Sequence, residues 1–350
     1  MRPRAVSDEL LTSLLRDVSR SFYLTMRLLP APVRRQISLA YLLARTSDTI
    51  ADTDLVDVQS RLQCLSALRE RILGRDHAPL SLARLSGNQG SQAERVLLER
   101  SEDSLRLLLD LDEPDRQRVR HVLDIIISGQ ELDLQRFGAA GAGQIVALES
   151  EEDLNDYTYR VAGCVGEFWT EMCAAHLWPA ASLDSDALMR NAVRFGKGLQ
   201  LVNILRDLPR DLRQGRCYIP AQSLRAAGLV PRDLLSSQNE ARFRPVFDQL
   251  LGVAEGHLTA GWEYIRALPK GQVRLRLGCA PPVLIGVRTL GLLRRENMLD
   301  ATRRLKVSRR EVHYLRVRSV FLLPFARAWD AQFLNEMRLI SFSDCSKNKK

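Results

Sequence analysis

Apolar residues recur at helical spacing through almost the whole chain, and no alternating run is long enough for a half-buried strand. The pattern predicts an all-α protein. Helices are expected over about 7–28, 33–53, 57–74, 91–110, 114–137, 150–177, 186–211, 242–267, 281–299 and 309–340, the last broken near Pro324. Pro30 and Pro32 separate the first two, and the GAAGAG stretch at 138–143 reads as a flexible connector. Residues 76–92, rich in Gly, Ser and Asn, are expected to form a loop. A single domain over 1–340 with a disordered tail at 341–350 accounts for the whole chain.

Two of these helices depart from the usual surface pattern of one apolar and one broad polar face. Between 37 and 50, Ile37, Leu39, Ala40, Leu42, Leu43, Ala44 and Ile50 leave almost no solvated side. The polar residues Tyr41, Arg45, Asp48 and Asp52 follow at spacings of 4, 3 and 4, which aligns them on one seam. The second helix repeats the design: Gly196, Gln200, Asn203, Asp207 and Asp211 form a stripe, while Phe195, Leu199, Leu201, Val202, Ile204, Leu205 and Leu208 cover the rest. Pro209 is expected to kink or end this helix and to shift Asp211 off the stripe.

Carboxylates at i and i+4 lie about 6 Å apart along a helix. Buried without a cation, such a pair is costly, and one member takes up a proton. Magnesium accepts hard oxygen ligands and is usually held by one or two carboxylates together with substrate phosphates. A single DxxxD is common on solvated helices; two, each at the end of an apolar helix beside an arginine (Arg45, Arg206), point to a metal and diphosphate site.

A net charge of +9 suits an anionic partner. The basic residues are scattered and carry neither an aromatic-interleaved RNA motif nor paired Cys/His fingers, so nucleic acid is not the expected partner. Six cysteines without CxxC spacing suit a reducing cytoplasm, and the five histidines show no zinc spacing. Phe168, Trp169 and Trp178 are expected in the core, and Glu131 and Asp133 in solvated or capping roles. No uncharged run reaches the ~20 residues that span a bilayer. The expectation is a cytoplasmic protein, with peripheral membrane contact for product release left open.

Four motifs, in order, resemble the squalene and phytoene synthases, head-to-head trans-prenyl transferases: VSRSF (18–22), DTIAD (48–52), YTYRVAGCVG (157–166) and QLVNILRDLPRDLRQGRCYIP (200–220). The resemblance implies a class I isoprenoid synthase fold with helices around a central cavity. It further implies Mg2+ on Asp48, Asp52, Asp207 and Asp211, diphosphate contacts from Arg45 and Arg206, and a flap formed by Ser19, Arg20, Ser21 and Phe22. Tyr41, Gln200 and Asn203 would line the polar end, and Tyr157 matches the family tyrosine assigned to proton transfer or cation stabilisation. Ala162, Gly163 and Gly166 would leave room for a prenyl tail or for a neighbouring helix; Arg160 stands where an aromatic is common, and its role is open. DTIAD and the basic segment 299–312, with Lys306 and Arg309 offered to phosphate groups beside Asn203, resemble squalene synthases. That implies condensation of two farnesyl diphosphates through presqualene diphosphate and reduction by NADPH. Segment 206–220 reads as much like bacterial phytoene synthases, which keeps dehydrosqualene or phytoene synthesis, without NADPH, as the alternative.

Overall fold

The computed structural model describes residues 9–341 except 20, 21, 55, 139, 142, 179–183, 301, 303 and 304. In chain order its longer helices are α1 (Ala31–Ala51), α2 (Val58–Leu73), α3 (Gln92–Glu99), α4 (Ser101–Leu109), α5 (Glu113–Phe137), α6 (Glu151–Thr158), α7 (Cys164–Leu177), α8 (Ser185–Arg213), α9 (Glu240–Ala267), α10 (Val273–Arg295), α11 (Arg309–Leu322) and α12 (Ala326–Ser341). The fold is all-α, as the periodicity implies. Among the described residues the only paired strands are two of two residues each, β1 (Val146–Ala147) and β2 (Arg216–Cys217), in parallel.

Helix starts follow local chemistry. The Asp57 carboxylate accepts from the Ser60 amide to open α2, Asp112 does the same for the Asp115 amide at α5, and Asp184 for the Ala187 amide at α8. Reciprocal capping boxes open α6 (Ser150 with Asp153) and α11 (Ser308 with Glu311). At the far end of α1, the Arg61 guanidinium donates to the Ala51 carbonyl at 2.7 Å, answering a carbonyl the helix leaves without a partner.

The chain divides into two compact units. The first comprises residues 1–138 and 167–182. There α1 packs against α2, α3, α4 and α5 through Leu39, Leu42, Leu43, Leu65, Leu97 and Leu123, all fully buried. Phe168 is buried here as expected. Buried Asp115 ties three helices together, accepting from Gln36 of α1 at 2.9 Å and Arg118 of α5 at 2.8 Å and meeting His176 of α7 at 2.8 Å. Glu131 is not solvated as expected; it is paired with Arg69 at 3.0 Å.

The second unit comprises residues 139–166 and 183–350. Its centre is α8, packed against α9, α10 and the turn at Tyr159–Gly163, with Leu205, Leu251, Leu258, Leu284 and Val287 fully buried. Small residues let two backbones meet: a Cβ on Gly196 would land on the Ala162 carbonyl, and one on Gly166 on the Ala192 carbonyl. Close helix packing is therefore what the small residues of the third motif serve. Just after the GAAGAG stretch the chain is tied down, Val146 N–H donating to Gly215 O at 2.9 Å and Leu148 N–H to Cys217 O at 3.0 Å. Gly215 sits at φ +80°, where a Cβ would strike the Gly141 backbone.

Several boundaries differ from the sequence reading. Residues 83–87 form a short helix inside the expected loop, and the stretch 91–110 is broken at Arg100. Helix α10 begins at Val273, eight residues early, and runs through Pro281 and Pro282; α8 runs through Pro209 to Arg213. In each case the flanking apolar residues are buried, and that packing outweighs the roughly 3 kcal/mol a helical proline costs. The break near Pro324 is present, between Leu322 and Ala326. Ser341 closes α12, and the rest of the expected tail lies outside the described residues. By length and composition α10 is apolar enough to cross a membrane, but 67% of that stretch is buried in packing. None of the described cysteines is in a disulfide.

Candidate active site

In the second half of α1 the polar seam positions are open. Leu39, Leu42, Leu43, Thr46, Ser47, Thr49 and Ile50 are buried, whereas Tyr41, Arg45 and Asp48 are partly open and Asp52 is exposed. The seam read from the spacing is thus a strip of accessible polar atoms beside buried apolar residues. Arg45 Nη2 lies 2.5 Å from Glu94 Oε1 on α3, and its Nη1 is 4.0 Å from Asp48 Oδ2. Gln130, buried on α5, donates from Nε2 to Asp48 Oδ1 at 2.5 Å. Although 48% of the Asp48 side chain is open, it sits deep in protein, and its pKa is pushed up to about 6. Loss of solvation is the main cause, Asp52 adds to it, and Arg45 and Gln130 oppose it. Burial also raises Tyr41.

The second stripe behaves alike. On α8, Leu201, Val202, Ile204, Leu205, Leu208 and Leu212 are buried, while Gln200, Asp207 and Asp211 are partly open and Asn203 is exposed. Because the helix continues past Pro209, Asp211 does follow Asp207 by one turn. Gly196 belongs to the contact with Ala162 and not to the stripe's chemistry. Arg206 grips Asp207 with two hydrogen bonds, 2.9 and 2.6 Å, which raises its own pKa. Both open onto a cavity of about 590 Å³ whose wall also holds Arg210, Arg213, Asp300 and Lys306. Four cations against two carboxylates make it a place for an anion.

Each seam offers two carboxylates, and among the described residues no group of three or more metal-binding side chains occurs. That donor set fits Mg2+ held jointly by protein and substrate phosphates.

The squalene/phytoene synthase family model matches residues 15–311. The chain belongs to this family. Among curated proteins it is 30% identical over 253 residues to the presqualene diphosphate synthase of Zymomonas mobilis, covering 72% of this chain and 74% of that one. It is 28% identical over 252 residues to the bifunctional lycopene cyclase/phytoene synthase of Colletotrichum graminicola. That match covers 72% of this chain but spans only 41% of the fungal protein's length. In structure it is similar to a ligand complex of a dehydrosqualene synthase (TM-score 0.65, 19% identity, 92% of this chain and 99% of that one). A squalene synthase from Alicyclobacillus acidocaldarius is similar too (TM-score 0.57, 19% identity, 89% and 95%). At those identities the structures speak to the fold, which is the all-α isoprenoid synthase fold.

Other expected site residues of this family member fall as follows. Tyr157, just before a π-helical turn at Tyr159–Gly163, stacks on buried Tyr218 with ring centroids 4.7 Å apart. Arg160 pairs with Asp156 one turn earlier, at 2.8 Å. The Ser19 hydroxyl is bonded to the Leu15 carbonyl at 2.5 Å. Arg20 and Ser21 lie outside the described residues, as does the Phe22 side chain. Lys306 lines the cavity beside Arg206, whereas Arg309 opens α11 on an exposed turn outside its wall.

Sequence reasoning missed Glu94 and Gln130. Each touches the first seam from a distant helix, and only the fold brings them there; the mid-helix Gly129-Gln130 was the sole local signal. Replacing Gln130 with Leu removes a hydrogen bond that favours the ionised Asp48 carboxylate. If Mg2+ is held at this seam, the concentration needed for half-maximal turnover should rise about ten- to a hundredfold, with the rate at saturating Mg2+ largely kept. A rate titration against Mg2+ that superimposes on wild type would show that Gln130 plays no such part.

Proposed function

We propose that this chain condenses two farnesyl diphosphates head to head, with Asp48 and Asp52, and Asp207 and Asp211, as its Mg2+ ligands. The observation that carries the reading is the pair of aspartate stripes, each flanked by buried apolar residues of its own helix. Bound magnesium would offset the diphosphate charge and favour breakage of the allylic C–O bond. Arg45 and Arg206 are permanently charged and planar, suited to diphosphate oxygens. In the absence of that anion they are held by Glu94 and by Asp207, so binding exchanges one carboxylate partner for a more highly charged one.

The chemistry follows from what these groups stabilise. The bonding pair leaves with diphosphate, the double bond of the second substrate attacks the allylic cation, and loss of a proton closes a cyclopropane. The stacked Tyr157 and Tyr218 offer aromatic faces to a cation, and the Tyr157 oxygen is a candidate to take the proton. The buried apolar residues beside each stripe would limit the water that can quench the cation.

The named activity of the Zymomonas relative, presqualene diphosphate synthesis, supports release of this cyclopropyl diphosphate. Reduction by NADPH to squalene is the finer reading that the sequence favours. Its support is narrower: of Asn203, Lys306 and Arg309, the cavity wall includes Lys306 alone. Phytoene or dehydrosqualene synthesis is the second reading, favoured by the phytoene synthase relative. Incubation with farnesyl diphosphate and Mg2+, with and without NADPH, separates them by product mass. A cyclopropyl diphosphate is expected without NADPH, and squalene only with it if the reductive half is present. The same desaturated C30 hydrocarbon in both incubations would select dehydrosqualene synthesis, coupling of geranylgeranyl diphosphate in its place would select phytoene synthesis, and no coupled product from either substrate would defeat both readings.

A further inference from the structure

The outer face of α11 carries a line of large apolar side chains in the open. Tyr314, Val317 and Phe321 follow Arg310 at spacings of 4, 3 and 4, so all four share one stripe. Phe321 is 71% exposed, Val320 beside it 55%, and Phe325, just past the helix end, 64%. The opposite face is packed through two residues: Leu315 and Ser319 are buried, and the Ser319 hydroxyl accepts from Gln332 of α12 at 3.0 Å. The helix is therefore anchored through one side, with its capping box formed, and its aromatic side is not a folding defect.

Arginines border the apolar line. Arg318 lies over the Tyr314 ring at 5.8 Å, and among the described residues no carboxylate pairs with Arg310, Arg316 or Arg327. The nearby acids are engaged elsewhere, Glu311 with Arg288 and Asp330 with Arg266 and the Trp262 indole N–H. Exposed aromatics bordered by unpaired arginines on one helix face are what an interfacial helix presents to anionic headgroups. A second copy is a poor occupant, because a two-fold contact through this face would set arginines against arginines.

We propose that the outer face of α11, with Phe325, docks this protein on an anionic lipid bilayer, the aromatic rings entering the headgroup boundary and the arginines meeting lipid phosphates. The inference stands on this surface alone and does not depend on the reaction.

Flotation of the full-length chain with vesicles tests it, using phosphatidylcholine alone or mixed equally with phosphatidylglycerol. The expected result is binding to the mixed vesicles that weakens with salt and is much lower on phosphatidylcholine. Phe321→Ser should lower partitioning on the order of tenfold, and Arg310→Glu with Arg316→Glu at least about fivefold each. Circular dichroism and turnover of the soluble variants should match wild type. Absence of binding to the mixed vesicles, binding indifferent to these substitutions, or a wild-type dimer by light scattering that Phe321→Ser dissolves would each overturn the proposal.

Discussion

Asp48→Asn is expected to lower turnover on the order of a hundred- to a thousandfold while making the unliganded protein more stable. The two effects have one cause. Folding moves the Asp48 carboxyl from its ordinary value of 3.8 up to about 6, so the native state holds the proton more tightly than the unfolded chain. Ionising it then costs stability: the cost is absent below about pH 4, grows as pH rises toward 6, and is complete above that. The variant should therefore melt higher than wild type at pH 7 to 8, with the advantage shrinking to nothing as pH falls toward 4. Saturating Mg2+ with diphosphate should reverse the order at neutral pH, because only wild type keeps the ligand. Melting curves across pH check the first half; a variant less stable than wild type at pH 8 without metal would show that Asp48 is not a strained, unneutralised charge.

Gly196→Ala should destabilise the protein by about 1–3 kcal/mol or prevent folding, whereas Gly252→Ala should stabilise it by about 0.5–1 kcal/mol. Both are interior helical glycines receiving the same methyl group. On α8 the new Cβ would overlap the Ala162 carbonyl, and neither atom belongs to a flexible side chain that could swing away. On α9 the space beside Gly252 is open, so the substitution only removes backbone freedom from the unfolded chain. Denaturant midpoints of the two variants decide it. Equal shifts would mean that the backbone contact between α8 and the Tyr159–Gly163 turn carries no energetic weight.

Both aspartate stripes could be read before any coordinates, because apolar residues on every other side of Ile37–Ile50 and Phe195–Leu208 left one place for polar atoms. Periodicity carries that information locally. What it could not carry is the identity of the stripes' neighbours: Glu94 and Gln130 reach Arg45 and Asp48 from helices 49 and 82 residues away in sequence. Pro209 misled for a related reason. It breaks helices by local rules, yet it lies beside buried Leu205, Leu208 and Leu212, whose packing holds the helix together. Likewise nothing in the sequence after the GAAGAG stretch signals that Val146 and Leu148 are tied to Gly215 and Cys217, because that strand pair is too short to leave a pattern.

The most direct measurement is Mn2+ binding, followed by electron paramagnetic resonance, to wild type, Asp48→Asn and Asp207→Asn in the presence of inorganic diphosphate. If both stripes grip metal together with the anion, wild type binds Mn2+ far more tightly when diphosphate is present, and either substitution removes that gain. Unchanged diphosphate-enhanced binding in either variant would contradict the account.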